Sequence, residues 1–344
     1  MKPYKNSLIV GKFAPLHKGH QLLIDTALAQ SEQVYIFAYS NPEILGCEPE
    51  KCHRWLTTLY PQCKVFVITP EFLRFHFSHL GRFELPLNAE EAGVHRRFCA
   101  FLWEHLAQKP LDAVFTSEDY GEGFVEELNR YFALHQPQPE VKHVLVDLQR
   151  LQVPISGTQV RADPHAHRDF LAPEVYRDFV QRVCFLGGES TGKSTLSSRM
   201  AAELHTLVVP EYGRTLWEEQ QGHLGFEDML KIAKFHVQQE EKRAGQANRF
   251  LFSDTSPLTT WMYSHFYFGQ ADPELSALRH RPYDFTFLCA PDFPFVQDGT
   301  RAGEAFRWKQ HHWYMELLQQ LAIPYTLLTG TLEERIQKVV EVLV

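Results

Sequence analysis

One stretch near the middle of the chain limits what the rest can be. Residues 182–195 form a short apolar run that closes in Gly187-Gly188-Glu189-Ser190-Thr191-Gly192-Lys193-Ser194, and helical spacing resumes at once from Thr195 to residue 204. A strand that stops in a glycine loop and restarts as a helix turns successive backbone N–H groups inward, at the positive end of that helix, where a polyphosphate is stabilised. Gly187 and Gly192 allow backbone angles that a side chain would obstruct. In this pattern Lys193 reaches the β- and γ-phosphates and the Ser194 hydroxyl holds Mg²⁺, while Gly188, Glu189, Ser190, Thr191 and Thr195 complete the cradle. The motif specifies a nucleoside triphosphate without specifying the reaction.

The loop begins near the midpoint of 344 residues, so a second domain is needed to account for the first half. The expected division is a domain over residues 1–167, a short join over 168–181 that leaves little slack, and a domain over 182–344. Hydrophobic residues make up 44% and charged residues 22% of the chain, and no apolar run reaches the roughly 18 residues of a membrane span. The formal net charge of -8 disfavours a nucleic-acid surface as the main function. The chain opens directly into a strand without a signal peptide, so a cytoplasmic location is expected. Its six cysteines contain no Cys-x-x-Cys pair and read as reduced thiols; Cys47, Cys52 and His53 lack the second pair that a zinc site requires.

In the first half, apolar runs at 7–10, 34–39, 64–68, 113–116 and 142–146 read as strands, with helical periodicity at 21–29, 50–59, 89–106 and 121–134 between them. Alternating units of this kind imply a parallel sheet with ligands at the carboxyl ends of its strands. At the first such end lies Gly11-Lys12-Phe13-Ala14-Pro15-Leu16-His17-Lys18-Gly19-His20, where two imidazoles and a helix start can face one anion. Metal binding by His17 and His20 is the weaker reading, for want of a third ligand, and a pair of solvent histidines is the plain one. Asn41 falls at the same sheet edge. Arg54 suits a phosphate, and Trp55 suits either a stacked base or the core. Residues 71–80 are aromatic and read as irregular, without a functional account.

In the second half, strands are expected at 206–209, 250–253, 285–289 and 325–328, with helices at 226–246, 304–321 and 332–342. The strand that ends at Asp254 has the Walker-B form, which sets an acid beside the phosphate loop; a helix cap is the competing reading. Arg301 and Arg307 flank a glycine-containing segment and suit a lid that closes over a transferring phosphoryl group, or else a solvated surface. Glu211, Tyr212, Asp254, Trp261 and Asp292 lie where a nucleoside can be held, with Trp261 as the stacking candidate and Asp254 as the base for its hydroxyl.

Two motifs in the first half resemble those of the nucleotidyltransferase superfamily: His17-Lys-Gly-His20, and Ile155-Ser156-Gly157-Thr158-Gln-Val-Arg161, which is similar to that family's Ile-Ser-x-Thr-x-x-Arg. The resemblance implies that Gly11, Lys12, Phe13, both histidines, Ile155, Ser156, Thr158 and Arg161 bind ATP and stabilise charge on its α-phosphate. Joined to a phosphate-loop kinase, and with Glu211-Tyr-Gly-Arg and Asp298-Gly-Thr-Arg301 also present, nearly the whole chain resembles the NadR-type bifunctional family. That likeness implies an α/β architecture of a Rossmann-like nucleotidyltransferase domain followed by a P-loop kinase domain, both with parallel sheets. It further implies phosphorylation of nicotinamide riboside to the mononucleotide (NMN), then adenylyl transfer from ATP to NMN to give NAD, with Mg²⁺ required and ATP as co-substrate. Partners are then small molecules, with no nucleic acid and no membrane insertion; a homo-oligomer is compatible with the sequence. Some members carry an N-terminal helix-turn-helix repressor domain, which is not expected here. Two alternatives remain open: another adenylyltransferase–kinase pair acting on a different vitamin-derived nucleoside, or a nucleotide-binding sensor with little turnover.

Overall fold

The computed structural model describes residues 2–81, 84–135, 137–296 and 303–343. The chain divides into two compact units, Met1–Tyr176 and Arg177–Val344. Each is organised around one five-stranded parallel sheet.

The first sheet contains β1 (Tyr4–Gly11), β2 (Ser31–Ala38), β3 (Lys64–Val67), β4 (Ala113–Thr116) and β5 (Lys142–Leu145), in the order β3-β2-β1-β4-β5. Its middle strand is buried from both sides, and Leu8, Ile9, Ile36 and Val114 have no exposed surface. That burial explains why these strands read as continuous apolar runs instead of alternating ones. The chain passes from β1 to β2 on one side and enters β4 on the other, so a crevice opens beyond the carboxyl ends of β1 and β4. The His17 loop follows β1, and residues 117–120 follow β4. Both therefore face that crevice.

The core of this unit centres on Trp103, which is fully buried against Tyr35 and Phe37 and donates its indole N–H to the Lys109 carbonyl at 2.7 Å. Residues 71–80, expected to be irregular, form the helix Pro70–Phe77 and one further tight turn, Ser78–Leu80. The start signals were present: Thr69 caps the helix by accepting from the Phe72 N–H at 3.1 Å, and Pro70 occupies the first turn. Leu73 and Phe77 face inward while Phe75 stays exposed, so aromatic content on both faces hid the period.

The second sheet contains β6 (Gln181–Leu186), β7 (Leu207–Val209), β8 (Phe250–Asp254), β9 (Phe285–Cys289) and β10 (Thr326–Leu328), ordered β10-β9-β6-β8-β7. Phe185 on the central strand lies between Phe252 and Phe287 of the flanking strands, at ring-centroid distances of 5.8 and 5.5 Å. This ladder holds three strands in register directly beneath the phosphate loop. No described helix is long and apolar enough to cross a membrane.

Replacing Trp103 by alanine removes a fully buried ring and orphans the Lys109 carbonyl. The expected cost is about 3–5 kcal/mol, read as a lower denaturant midpoint for the first unit.

Candidate active sites

The first site is built at the start of helix Lys18–Gln30. His17 is its N-cap and accepts the Gly19 N–H through Nδ1 at 3.1 Å; His20 accepts the His17 N–H through its own Nδ1 at 3.4 Å. The two imidazoles thus form a reciprocal capping box, and their rings stack with centroids 3.8 Å apart. A neutral ring that accepts at Nδ1 carries its proton on Nε2. Burial, then the Arg150 and Arg161 charges, lower the His17 pKa from 6.5 to about 4. Burial and the His17 ring hold His20 well below 6.5, against the opposing pull of the Pro15 carbonyl. Both rings are therefore neutral hydrogen-bond donors at neutral pH.

The second motif is brought against this loop across almost 150 residues of chain. Ser156 caps helix Gly157–Ala162 in a capping box with Gln159. Arg161 donates to the Ala14 carbonyl and, at 3.1 Å, to Thr158 Oγ1. A side chain at Gly157 would stand 3.1 Å from Arg161 Nη1 and 3.7 Å from His17 Nε2, so glycine lets the two segments meet. Together they border a cavity of about 540 Å³ lined by Gly11, Lys12, Phe13, His20, Ser156, Thr158 and Arg161, and His17 lines a smaller adjoining one.

Several cavity residues belong to neither motif. Tyr39, at the end of β2, bonds His95 Nδ1 at 2.9 Å, and both line the cavity with Arg96 and Tyr120. Arg150 lines both cavities from a turn held by Asp147, whose carboxylate accepts the N–H groups of Leu151, Gln152 and Val153. Three nucleotide-site expectations fare differently. Trp55 has no exposed surface and belongs to the core, because its helix Pro49–Leu59 turns that face onto the sheet. Arg54, next to it, is exposed and lines neither large cavity. Asn41 spends its amide on the Leu85 carbonyl at 2.7 Å and borders a small pocket that shares Lys12, Ala14 and Tyr39 with the large cavity.

The second site surrounds the phosphate loop. Gly187, Ser190 and Gly192 take positive φ values of 147°, 56° and 79°. A Cβ at Gly187 would come within 2.9 Å of the Cys289 carbonyl, and one at Gly188 within 2.8 Å of the Arg307 carbonyl, so the loop requires glycine at both. Lys193, the first residue of helix Lys193–Glu203, arches back to the Gly188 carbonyl at 2.9 Å, and the Thr191 hydroxyl donates to the same oxygen at 2.7 Å. Ser194 and Thr195 are exposed at the helix mouth. A cavity of about 720 Å³ runs from residues 189–195 to Glu211, Tyr212, Trp217, Tyr263 and Tyr267.

Asp254 ends β8 beside β6, paired in register with Phe185. It is 4% exposed, and its Oδ1 is buried without a hydrogen-bond partner. An orphaned carboxylate oxygen here fits a hydrated Mg²⁺ held jointly with Ser194, a cation that typically takes only one or two protein ligands. Burial and the Asp254 charge raise the Glu211 carboxyl above its usual range, with Lys193 and Arg214 opposing.

Other expected contacts resolve differently. Trp261 donates to Ser276 Oγ at 3.2 Å, lies under the Arg279 guanidinium and does not line the cavity. Its place is taken by Tyr212, Trp217 and the parallel pair Tyr263 and Tyr267, whose i, i+4 spacing was visible in the sequence. Asp292 accepts the Gly330 N–H at 2.6 Å and pairs with buried Arg335, which also donates to the Thr191 carbonyl, so Asp292 braces the loop and binds no nucleoside. Arg307 is 1% exposed and donates to the Ser190 and Phe293 carbonyls at 3.3 and 3.0 Å, which makes it a brace and not a surface lid. Arg301 lies outside the described residues.

The His17 shift has a signed consequence. The unfolded chain takes up that proton near pH 6.5 and the folded protein only near 4, so stability is lost as pH falls through this window. The loss is about 3 kcal/mol for this ring. Denaturation midpoints measured from pH 7 to 4 should fall accordingly, and His17→Gln should flatten that slope.

Comparison with known proteins gives the family. Residues 182–335 match a family model described as an AAA domain. The chain is 30% identical over 312 residues to the trifunctional NAD biosynthesis/regulator protein NadR of Salmonella typhimurium (strain LT2), spanning 86% of this chain and 71% of that one. It is likewise 30% identical, over 319 residues and with the same coverage, to the protein of the same name from Escherichia coli (strain K12). The fold matches a crystal structure of NadR in complex with NAD and AMP-PNP, with a TM-score of 0.71, 22% identity and coverage of 99% and 97%. It also matches one in complex with NR, with a TM-score of 0.69, 20% identity and coverage of 98% and 95%. On sequence identity sustained across both units, this chain belongs to the NadR family.

Proposed function

We propose that this chain is a bifunctional NAD salvage enzyme of the cytoplasm. Its second unit phosphorylates nicotinamide riboside with ATP to give NMN, and its first unit transfers AMP from ATP to NMN to give NAD and pyrophosphate. The observation that carries the proposal is the presence of two separate phosphate-type cavities, one per unit, of different chemistry. The names of the relatives, which concern NAD biosynthesis, and the NAD, AMP-PNP and NR bound by proteins of this fold support the choice of substrates.

In the kinase unit, residues 187–195 hold the triphosphate of ATP and Lys193 leaves the Gly188 carbonyl to meet it. The riboside occupies the aromatic end of the same cavity. Asp254 and Ser194 hold Mg²⁺, which when bound neutralises phosphate charge. Glu211 lines the cavity, which Asp254 does not, so the proton of the attacking riboside hydroxyl passes to Glu211. Its carboxyl, raised above the usual range by burial, suits it to accept that proton.

In the adenylyltransferase unit, an oxygen of the NMN phosphate attacks the α-phosphorus of ATP, the bond to the β-phosphate breaks, and pyrophosphate leaves. The nucleophile is already ionised, so no base is required; the rate comes from placement and charge stabilisation. Neutral His17 and His20 donate hydrogen bonds to the developing charge without needing to release a proton, and the start of helix Gly157–Ala162 adds its N–H groups.

With the riboside and Mg-ATP, Lys193→Ala should lower phosphorylation at least about 100-fold while leaving NAD formation from supplied NMN unchanged. His20→Ala should do the reverse. Product formation followed by chromatography checks both, and loss of both activities in either variant would refute two independent sites.

A further inference from the structure

We propose that Gln310 is a positioning residue that couples nucleotide binding at the phosphate loop to nucleoside binding in the same cavity; this rests on the kinase reading above. Gln310 lies on helix Glu304–Gln320, belongs to none of the motifs, and is 1% exposed. Its amide closes a ring of three hydrogen bonds. The Glu189 N–H donates to Gln310 Oε1 at 2.8 Å, Gln310 Nε2 donates to the Tyr263 hydroxyl at 2.8 Å, and that hydroxyl donates to Glu189 Oε1 at 3.4 Å. Each of the three residues donates one of these bonds and accepts another, the contact from Tyr263 to Glu189 being the longest.

The ring joins the two ends of the cavity. Glu189 belongs to the phosphate loop, and Tyr263 stands on helix Pro257–Phe268, parallel to Tyr267, on the aromatic wall. The helix bearing Gln310 packs directly against the loop: a Cβ on Gly188 would sit 3.0 Å from Gln310 Oε1 and 2.8 Å from the Arg307 carbonyl. A shift of Glu189 as phosphates enter therefore reaches Tyr263 through one rigid amide. Glutamine suits the position because one end must accept a backbone N–H while the other donates. Leucine fills the volume and makes neither bond, and glutamate cannot donate to Tyr263.

The test is a set of calorimetric titrations of nicotinamide riboside into the full chain with and without saturating Mg-AMP-PNP. For the unsubstituted protein the nucleotide should tighten the riboside Kd at least about fivefold, the lower end of typical couplings. In Gln310→Leu and in Tyr263→Phe the factor should fall below about twofold. The double variant should lose no more than either single one, because both break the same ring. Tyr263→Phe leaves the loop's own contacts to Gln310 in place, so it reads the coupling even if Gln310→Leu binds no nucleotide. Equal riboside affinity with and without nucleotide in the unsubstituted protein, or coupling retained in the variants, overturns the inference. A protein that binds AMP-PNP but never the riboside overturns the substrate reading and the inference with it.

Discussion

Both halves of this chain solve one physical problem, that of holding a highly charged polyphosphate at the carboxyl edge of a parallel sheet. Unpaired N–H groups at a helix start are the cheapest donors a protein has, and a parallel sheet delivers its helix starts to that edge. The rest of the architecture follows from placing such a helix directly after the central strand. In the first unit it follows β1, and in the second it follows β6, each flanked on both sides by other strands.

The two helix starts differ in how they supplement the backbone. The second uses positive φ at three positions to wrap the chain around the anion, with a lysine ammonium beside it. The first sets two imidazoles at the helix start as its capping groups. By accepting backbone N–H groups at Nδ1, His17 and His20 fix their own tautomer and keep the proton on the opposite nitrogen. Burial and neighbouring arginines keep them uncharged, so their contribution is directional hydrogen bonding and not net charge. The phosphate loop thus sets one ammonium beside its glycines, whereas the first cavity combines neutral imidazoles with the guanidiniums of Arg150 and Arg161.

A phosphate loop is also a strained and carbonyl-rich segment, and its outward-facing oxygens need partners. Buried guanidiniums supply them: Arg335 donates to the Thr191 and Ala290 carbonyls, and Arg307 to Ser190. Leaving such groups unpaired in a closed interior would cost more than burying the arginines, which are offset by Asp292 and Glu304. This is why two residues that look functional in a linear reading, Arg307 and Asp292, turn out to be scaffolding of the loop.

The strands, the two phosphate-binding loops and the division of the chain into two α/β parts were legible in the sequence, because apolar runs and glycine spacing are local consequences of backbone geometry. Trp261 and Asp292 were misjudged and Trp55 was left open between base and core, since a helix face or a strand end turns toward core or cavity according to its neighbours, and no single segment records that. Residue type and spacing thus determined where phosphate could bind. Only the tertiary structure decided that Arg161 meets Ala14 across the fold, that Tyr263 and Trp217 line one cavity with the phosphate loop, and that Gln310 closes a ring with that loop, because such contacts exist only when separate strands bring their loop ends to one edge.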